Sequence, residues 1–151
     1  MFQTFLRTAG VVLLPLALLS SAACDADSPT RPSALDGLAG AWTLGATGSG
    51  ELPDACTQLE YEITPAPDGR TAAVRFNGTC AGITASGTGS GTLSGDTLRW
   101  SAEGTASGRG MTCPFTFRDS TATREGSGLR IAYAGTVCGL PVQGNDLLLR
   151  R

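Results

Sequence analysis

The sequence predicts an all-β domain: an antiparallel eight-stranded up-and-down barrel, or a two-sheet meander of the same strands, built from a four-strand unit used twice. Three observations carry that expectation. From Leu38 onward the chain is rich in Gly, Thr and Ser, with turn signals about every ten residues and no apolar stripe of helical period. Apolar and polar residues alternate with period two, which gives each strand a buried and a solvated face and favours antiparallel pairing. Finally, Trp42 recurs as Trp100, Cys56 as Cys113 and Cys80 as Cys138, at shifts of 58, 57 and 58 residues.

The elements follow in order. Ala39–Ala46 reads as a first strand with Trp42 and Leu44 on one face. Thr57–Thr64 sets Leu59, Tyr61 and Ile63 against Gln58, Glu60 and Glu62. Thr71–Thr79 sets Ala72, Val74 and Phe76 against Thr71, Arg75 and Asn77. Ile83–Leu93 is a Gly/Thr-rich strand of small side-chain volume. Thr97–Thr105 puts Leu98, Trp100 and Ala102 opposite Arg99, Ser101 and Glu103. Thr112–Thr121 carries Phe115 and Phe117, Leu129–Val137 carries Ile131 and Tyr133, and Asp146–Arg151 closes the series. The connectors Asp68-Gly69, Ser94-Gly95-Asp96, Ser107-Gly108-Arg109-Gly110 and Gly126-Ser127-Gly128 are short, and each holds a Gly able to take positive φ. Short hairpins make sequential strands neighbours, and closing eight of them removes exposed edges. Val74-Arg75-Phe76-Asn77-Gly78-Thr79-Cys80 aligns with Ile131-Ala132-Tyr133-Ala134-Gly135-Thr136-Val137-Cys138 given one inserted residue, which extends the repeat.

Four cysteines in this region admit three pairings. Cys56 and Cys80 flank a hairpin centred on the Pro67-Asp68-Gly69 turn, and Cys113 and Cys138 flank one centred at Glu125-Gly126. Each pair therefore lies at the open end of its own hairpin, within bonding reach. The apolar faces match one residue off the cysteine midpoints, so a bulge is expected near each bond. With no CxxC spacing and no His, a metal centre is not expected, nor any cofactor.

The first 24 residues address the chain. Arg7 is the only charge before Cys24, the apolar run Val11–Leu19 is too short to span a bilayer, and Ser20, Ser21, Ala22 and Ala23 follow. Residues 1–23 thus read as a cleavable secretion signal. The stretch Leu19-Ser20-Ser21-Ala22-Ala23-Cys24 resembles the lipobox of bacterial lipoproteins, with Ser21 where that family has Leu. The resemblance implies a lipidated Cys24 and a membrane partner reached through that anchor. Ordinary signal-peptidase cleavage after Ala23 satisfies the same small residues. Two features favour lipidation: removing Cys24 from the five cysteines leaves an even number for an oxidising compartment, and Asp25–Gly37 reads as a flexible tether. The expected organisation is a signal over 1–23, lipidated Cys24 with its tether over 24–37, and the β domain over 38–151. The expected place is the cell envelope, on the inner or outer membrane, facing the periplasm or the cell surface.

Composition excludes several chemistries. All eleven cations are Arg, and losing Arg7 with the leader takes the net charge from −2 to −3. That weak acidity, without a basic block, argues against a nucleic-acid partner. The chain has no His, which removes the commonest general base and metal ligand, and with it any Ser-His-Asp constellation. Glu60 and Glu62 read as solvated charge on a strand's polar face. No catalytic residue is assigned. Trp42 and Trp100 are candidate contacts for a ligand in the lumen, weighed against a role as core plugs. The small inward residues Ala72, Gly78, Ala102, Gly104 and Gly135 would leave room for one small guest.

The strand count and connectivity resemble the meander barrels of the lipocalin and avidin type, at the level of fold alone. The expected function is a lipid-anchored, non-catalytic envelope protein that binds a small apolar ligand or a partner protein. The alternative is a structural or inhibitory surface lipoprotein that acts through exposed loops around a filled barrel.

Overall fold

The computed structural model describes residues 33–50 and 56–151, the side chains of residues 46–50 excepted. The signal over 1–23, Cys24 and the tether up to residue 32 lie outside the described residues. A short helix α1 (Ala34–Leu38) precedes β1 (Gly40–Gly50), β2 (Cys56–Pro65), β3 (Thr71–Cys80), β4 (Ile83–Ser94), β5 (Thr97–Gly108), β6 (Met111–Glu125), β7 (Gly128–Val137) and β8 (Leu140–Arg150). The strands form one closed antiparallel barrel in sequence order, with β1 returning to β8. The two-sheet option does not occur. The last strand begins at Leu140, six residues before the expected start at Asp146, because the Cys138-Gly139 turn directs the chain straight back along β7.

Helix α1 with its cap takes in Ser33–Gly37, the last residues of the stretch 24–37 that the sequence reads as a tether. Ser33 caps α1: its hydroxyl accepts from the Asp36 N–H at 3.3 Å, and the Asp36 carboxylate accepts from the Ser33 N–H at 2.7 Å. Leu35 and Leu38, three residues apart, therefore share the inner face, and both are fully buried. They close the barrel end that carries the β2–β3, β4–β5 and β6–β7 turns. Arg124 donates to the Gly37 carbonyl at 3.2 Å and secures the helix there. Both disulfides lie at the opposite end.

Alternation places the core on the faces expected from the sequence. Leu59, Tyr61 and Ile63 of β2, Ala72, Val74 and Phe76 of β3, and Leu98, Trp100 and Ala102 of β5 all face inward and are buried. Strand β6 departs from simple alternation. Asp119 takes φ +54°, and the register slips by one against both neighbours, between Phe117 and Ser120 on the β5 side and between Arg118 and Thr121 on the β7 side. This bulge shifts the inward set from Phe115 and Phe117 to Ser120 and Ala122. Asp is one of the few residues that enters this backbone region at small cost.

Candidate functional site

Both cysteine pairs bond as the hairpin geometry required. Cys56 joins Cys80 and Cys113 joins Cys138, at separations of 24 and 25 residues. The first bond carries the expected bulge: Cys56 faces Cys80, then Gln58 faces Thr79, leaving Thr57 extra. The second does not. There the offset is absorbed in the Cys138-Gly139 turn, where both residues have positive φ, and the β6 bulge lies further along the strand at Asp119.

The lumen is where a ligand would sit, and side chains occupy it. Trp42 is buried, and its indole N–H donates to the Leu38 carbonyl at 2.9 Å, tying β1 to the closing helix. Arg124 and Arg150 lie over its ring at 5.0 and 5.2 Å. Trp100 stands in a chain of aromatic contacts. Its ring lies 5.8 Å from Tyr61 and 6.2 Å from Phe117, and Phe117 lies 5.8 Å from Phe76 and 5.5 Å from Tyr133.

The small inward residues do not leave a guest site. A Cβ at Gly87 or Gly104 would collide with the Phe115 ring, and one at Gly78 would press on Phe76 and Leu59. The glycines are the surfaces on which the rings lie. An open depression of about 510 Å³ lies on the outer wall over β4, β5 and β6, rimmed by Ser90, Ser101, Glu103 and Arg118.

A belt of polar tips crosses the middle of this apolar interior, and sequence reading missed it. Asp146 of β8 is buried, and neither carboxylate oxygen finds a hydrogen-bond partner in the protein. The same holds for the Trp100 indole N–H and the Ser120 hydroxyl, which belong to residues facing each other across the β5–β6 pair. Burial pushes the Asp146 carboxyl up to about 6, against an opposing pull from Arg130 on the outer wall. Burial also raises the Tyr61 hydroxyl, and charge at Asp146 and Tyr133 adds to that. The only sequence signal was period two itself: Asp146 shares a face with buried Leu148, whereas Leu149 points outward and is 46% exposed.

Three surface carboxylates have outward partners. Glu60 pairs with Arg151 at 2.9 Å, Glu62 lies 3.9 Å from Arg75, and Glu125 pairs with Arg130 at 2.7 Å. Glu60 and Glu62 are surface charges, as expected. Among the described residues no group of three or more His, Cys, Asp or Glu is placed to hold a metal ion, and no helix is long and apolar enough to cross a membrane.

Fold and interior together define a class: a disulfide-stapled, eight-stranded up-and-down barrel with a filled lumen and one helical closure. No family model, curated protein or solved structure matches the chain.

Proposed function

We propose that the chain is an exported, lipid-anchored envelope protein whose barrel works without catalysis and without a guest in its lumen, through its outer surface. One observation carries the choice between the two expected roles. The space that would hold a small apolar ligand contains Tyr61, Phe76, Trp100, Phe115, Phe117 and Tyr133 in mutual ring contact. An eight-stranded barrel has a lumen only just wide enough for its own side chains or for one small guest. Two disulfides suit an oxidising compartment. The leader over residues 1–23, followed by Cys24, supports export and anchoring.

The test has two arms. Tryptophan emission during titration with fatty acids and apolar dyes is expected to stay unchanged, since Trp42 and Trp100 are already enclosed; a saturable shift would restore the ligand carrier. Cys24→Ala is expected to move the protein from the membrane to the soluble fraction, and continued membrane attachment would refute the anchor.

A further inference from the structure

The polar belt of the lumen holds hydrogen-bonding groups that the surrounding side chains do not meet. Trp100 of β5 and Ser120 of β6 stand directly opposite each other on the inner wall, 3% and 0% exposed. The indole N–H of one and the hydroxyl of the other have no hydrogen-bond partner in the protein, and they do not bond each other. Asp146 of β8 brings two buried carboxyl oxygens in the same condition. The indole N–H of Trp42, in contrast, is met by the Leu38 carbonyl. A buried donor or acceptor left unmet costs more than a typical hydrogen bond returns, so such groups are paired with protein or with water.

Tyr61 connects the two sets. Its ring lies 5.8 Å from that of Trp100, and its hydroxyl feels the charge of Asp146 and of Tyr133. The wall beside the Asp146 carboxyl is small. Gly144 precedes it on the same face of β8, and Gly48 is its pairing partner on β1. Arg130 pulls on Asp146 from the outer wall, but its guanidinium donates to Glu125 and Asn145 instead.

We propose that the lumen binds ordered water along this belt, donating to the Asp146 carboxyl and accepting from the Trp100 indole N–H, with the Ser120 hydroxyl as a further partner. The donor and acceptor types select this occupant. An indole N–H only donates and an ionised carboxylate only accepts. A guest that serves both must accept at one side and donate at the other. A metal ion cannot accept from the indole, an ammonium ion cannot accept at all, and an apolar guest leaves all four atoms unmet. Size selects water as well. The aromatic rings around the belt are in mutual contact, with centroids 5.1–6.2 Å apart, and that packing admits one heavy atom at a time rather than an organic molecule. Buried water typically makes about three hydrogen bonds to such otherwise unmet groups. The site does not depend on the leader or on an acyl anchor, and it is compatible with a lumen closed to apolar ligands.

The two tryptophans supply the test and its control. In the ¹⁵N-labelled full chain, held in detergent micelles, the Trp100 indole N–H is expected to receive magnetisation from long-lived water and the Trp42 indole N–H to receive none. Transfer to neither indole, or equal transfer to both, would overturn the proposal. Ser120→Ala is expected to keep the Trp100 signal; its loss would count against water, because the transfer then came from the hydroxyl proton. Water ¹⁷O relaxation, which hydroxyl protons do not enter, is expected to show a long-lived component in the parent protein. Its absence there contradicts the proposal without recourse to any variant. Asp146→Leu with Ser120→Val is expected to lose that component while circular dichroism and both disulfides stay unchanged, and persistence in the folded variant would refute the site. So would a urea midpoint that falls when sodium is replaced by a bulky organic cation in the parent but not in Asp146→Asn, because that assigns the carboxyl to an ion.

Discussion

Asp146 is the residue whose environment departs furthest from its chemistry. It is 1% exposed, lacks a hydrogen-bond partner in the protein, and holds its proton up to about pH 6. A carboxyl whose folded pKa lies above its unfolded value stabilises the fold fully below the unfolded value. That contribution disappears as pH rises through the folded value. The gap from 3.8 to about 6 corresponds to roughly 3 kcal/mol. The barrel should therefore be more resistant to urea at pH 5 than at pH 8, and Asp146→Asn should flatten that difference. Equal midpoints for the parent at both values would contradict the buried, unpartnered carboxyl. Asp68 and Glu125 work in the other direction. The Thr71 hydroxyl with the Thr71 and Arg70 N–H groups, and the Arg130 guanidinium, hold these carboxyls below their ordinary values. Their contribution is lost as the solution becomes strongly acidic, so stability peaks between the two regimes. Phe115 offers a second test at this scale. Its ring covers Gly87 and Gly104, so Phe115→Ala should cost about 3–5 kcal/mol, read from the urea midpoint.

At the scale of elements, the hairpin is the repeating device, and the β2–β3 and β6–β7 hairpins are stapled. Closing a loop of 24 or 25 residues stabilises by roughly 3–4 kcal/mol in the chain-entropy model. Cys56→Ser with Cys80→Ser should lower stability by about that amount while leaving Cys113–Cys138 intact in non-reducing peptide maps. A crosslink between the two halves of the barrel would contradict the assignment. Helix α1 makes a third element-scale prediction: Leu35→Ala should cost about 2–5 kcal/mol, since the side chain is wholly enclosed. The strands and staples were legible because alternation, turn glycines and cysteine midpoints are local signals that agree with one another. The helix was not, because five residues are too few to show a period; the Ser33-x-x-Asp36 cap was its one visible mark. The β6 bulge was hidden for a related reason. One residue at positive φ, Asp119, changes which residues face inward, and that is why buried Ser120 was not anticipated. The polar belt escaped notice through this bulge and through β8, where the alternation of Leu147 and Leu149 with Leu148 and Arg150 does not say which face turns inward; the structure buries Asp146 and Leu148.

For the whole molecule, the duplicated pattern maps onto equivalent places in the barrel. Trp42 and Trp100 stand on β1 and β5, Cys56 and Cys113 near the starts of β2 and β6, and Cys80 and Cys138 at the ends of β3 and β7. The two halves have nevertheless diverged in what their tryptophans do. Trp42 secures the helical closure, whereas Trp100 belongs to the aromatic fill. That closure uses residues, Ser33–Gly37, that the sequence reads as part of a tether. Among the described residues the hairpins at the helix end, where the chain enters, carry more charged residues than those at the disulfide end.

Export, trimming at Cys24 and oxidation are the events on which the envelope role depends. The intact mass of the native protein, extracted from membranes without reductant, reads all three at once. The expected mass is that of Cys24–Arg151 carrying acyl chains and lacking the four hydrogens lost to two disulfides. The mass of the whole 151-residue chain with free thiols would contradict it.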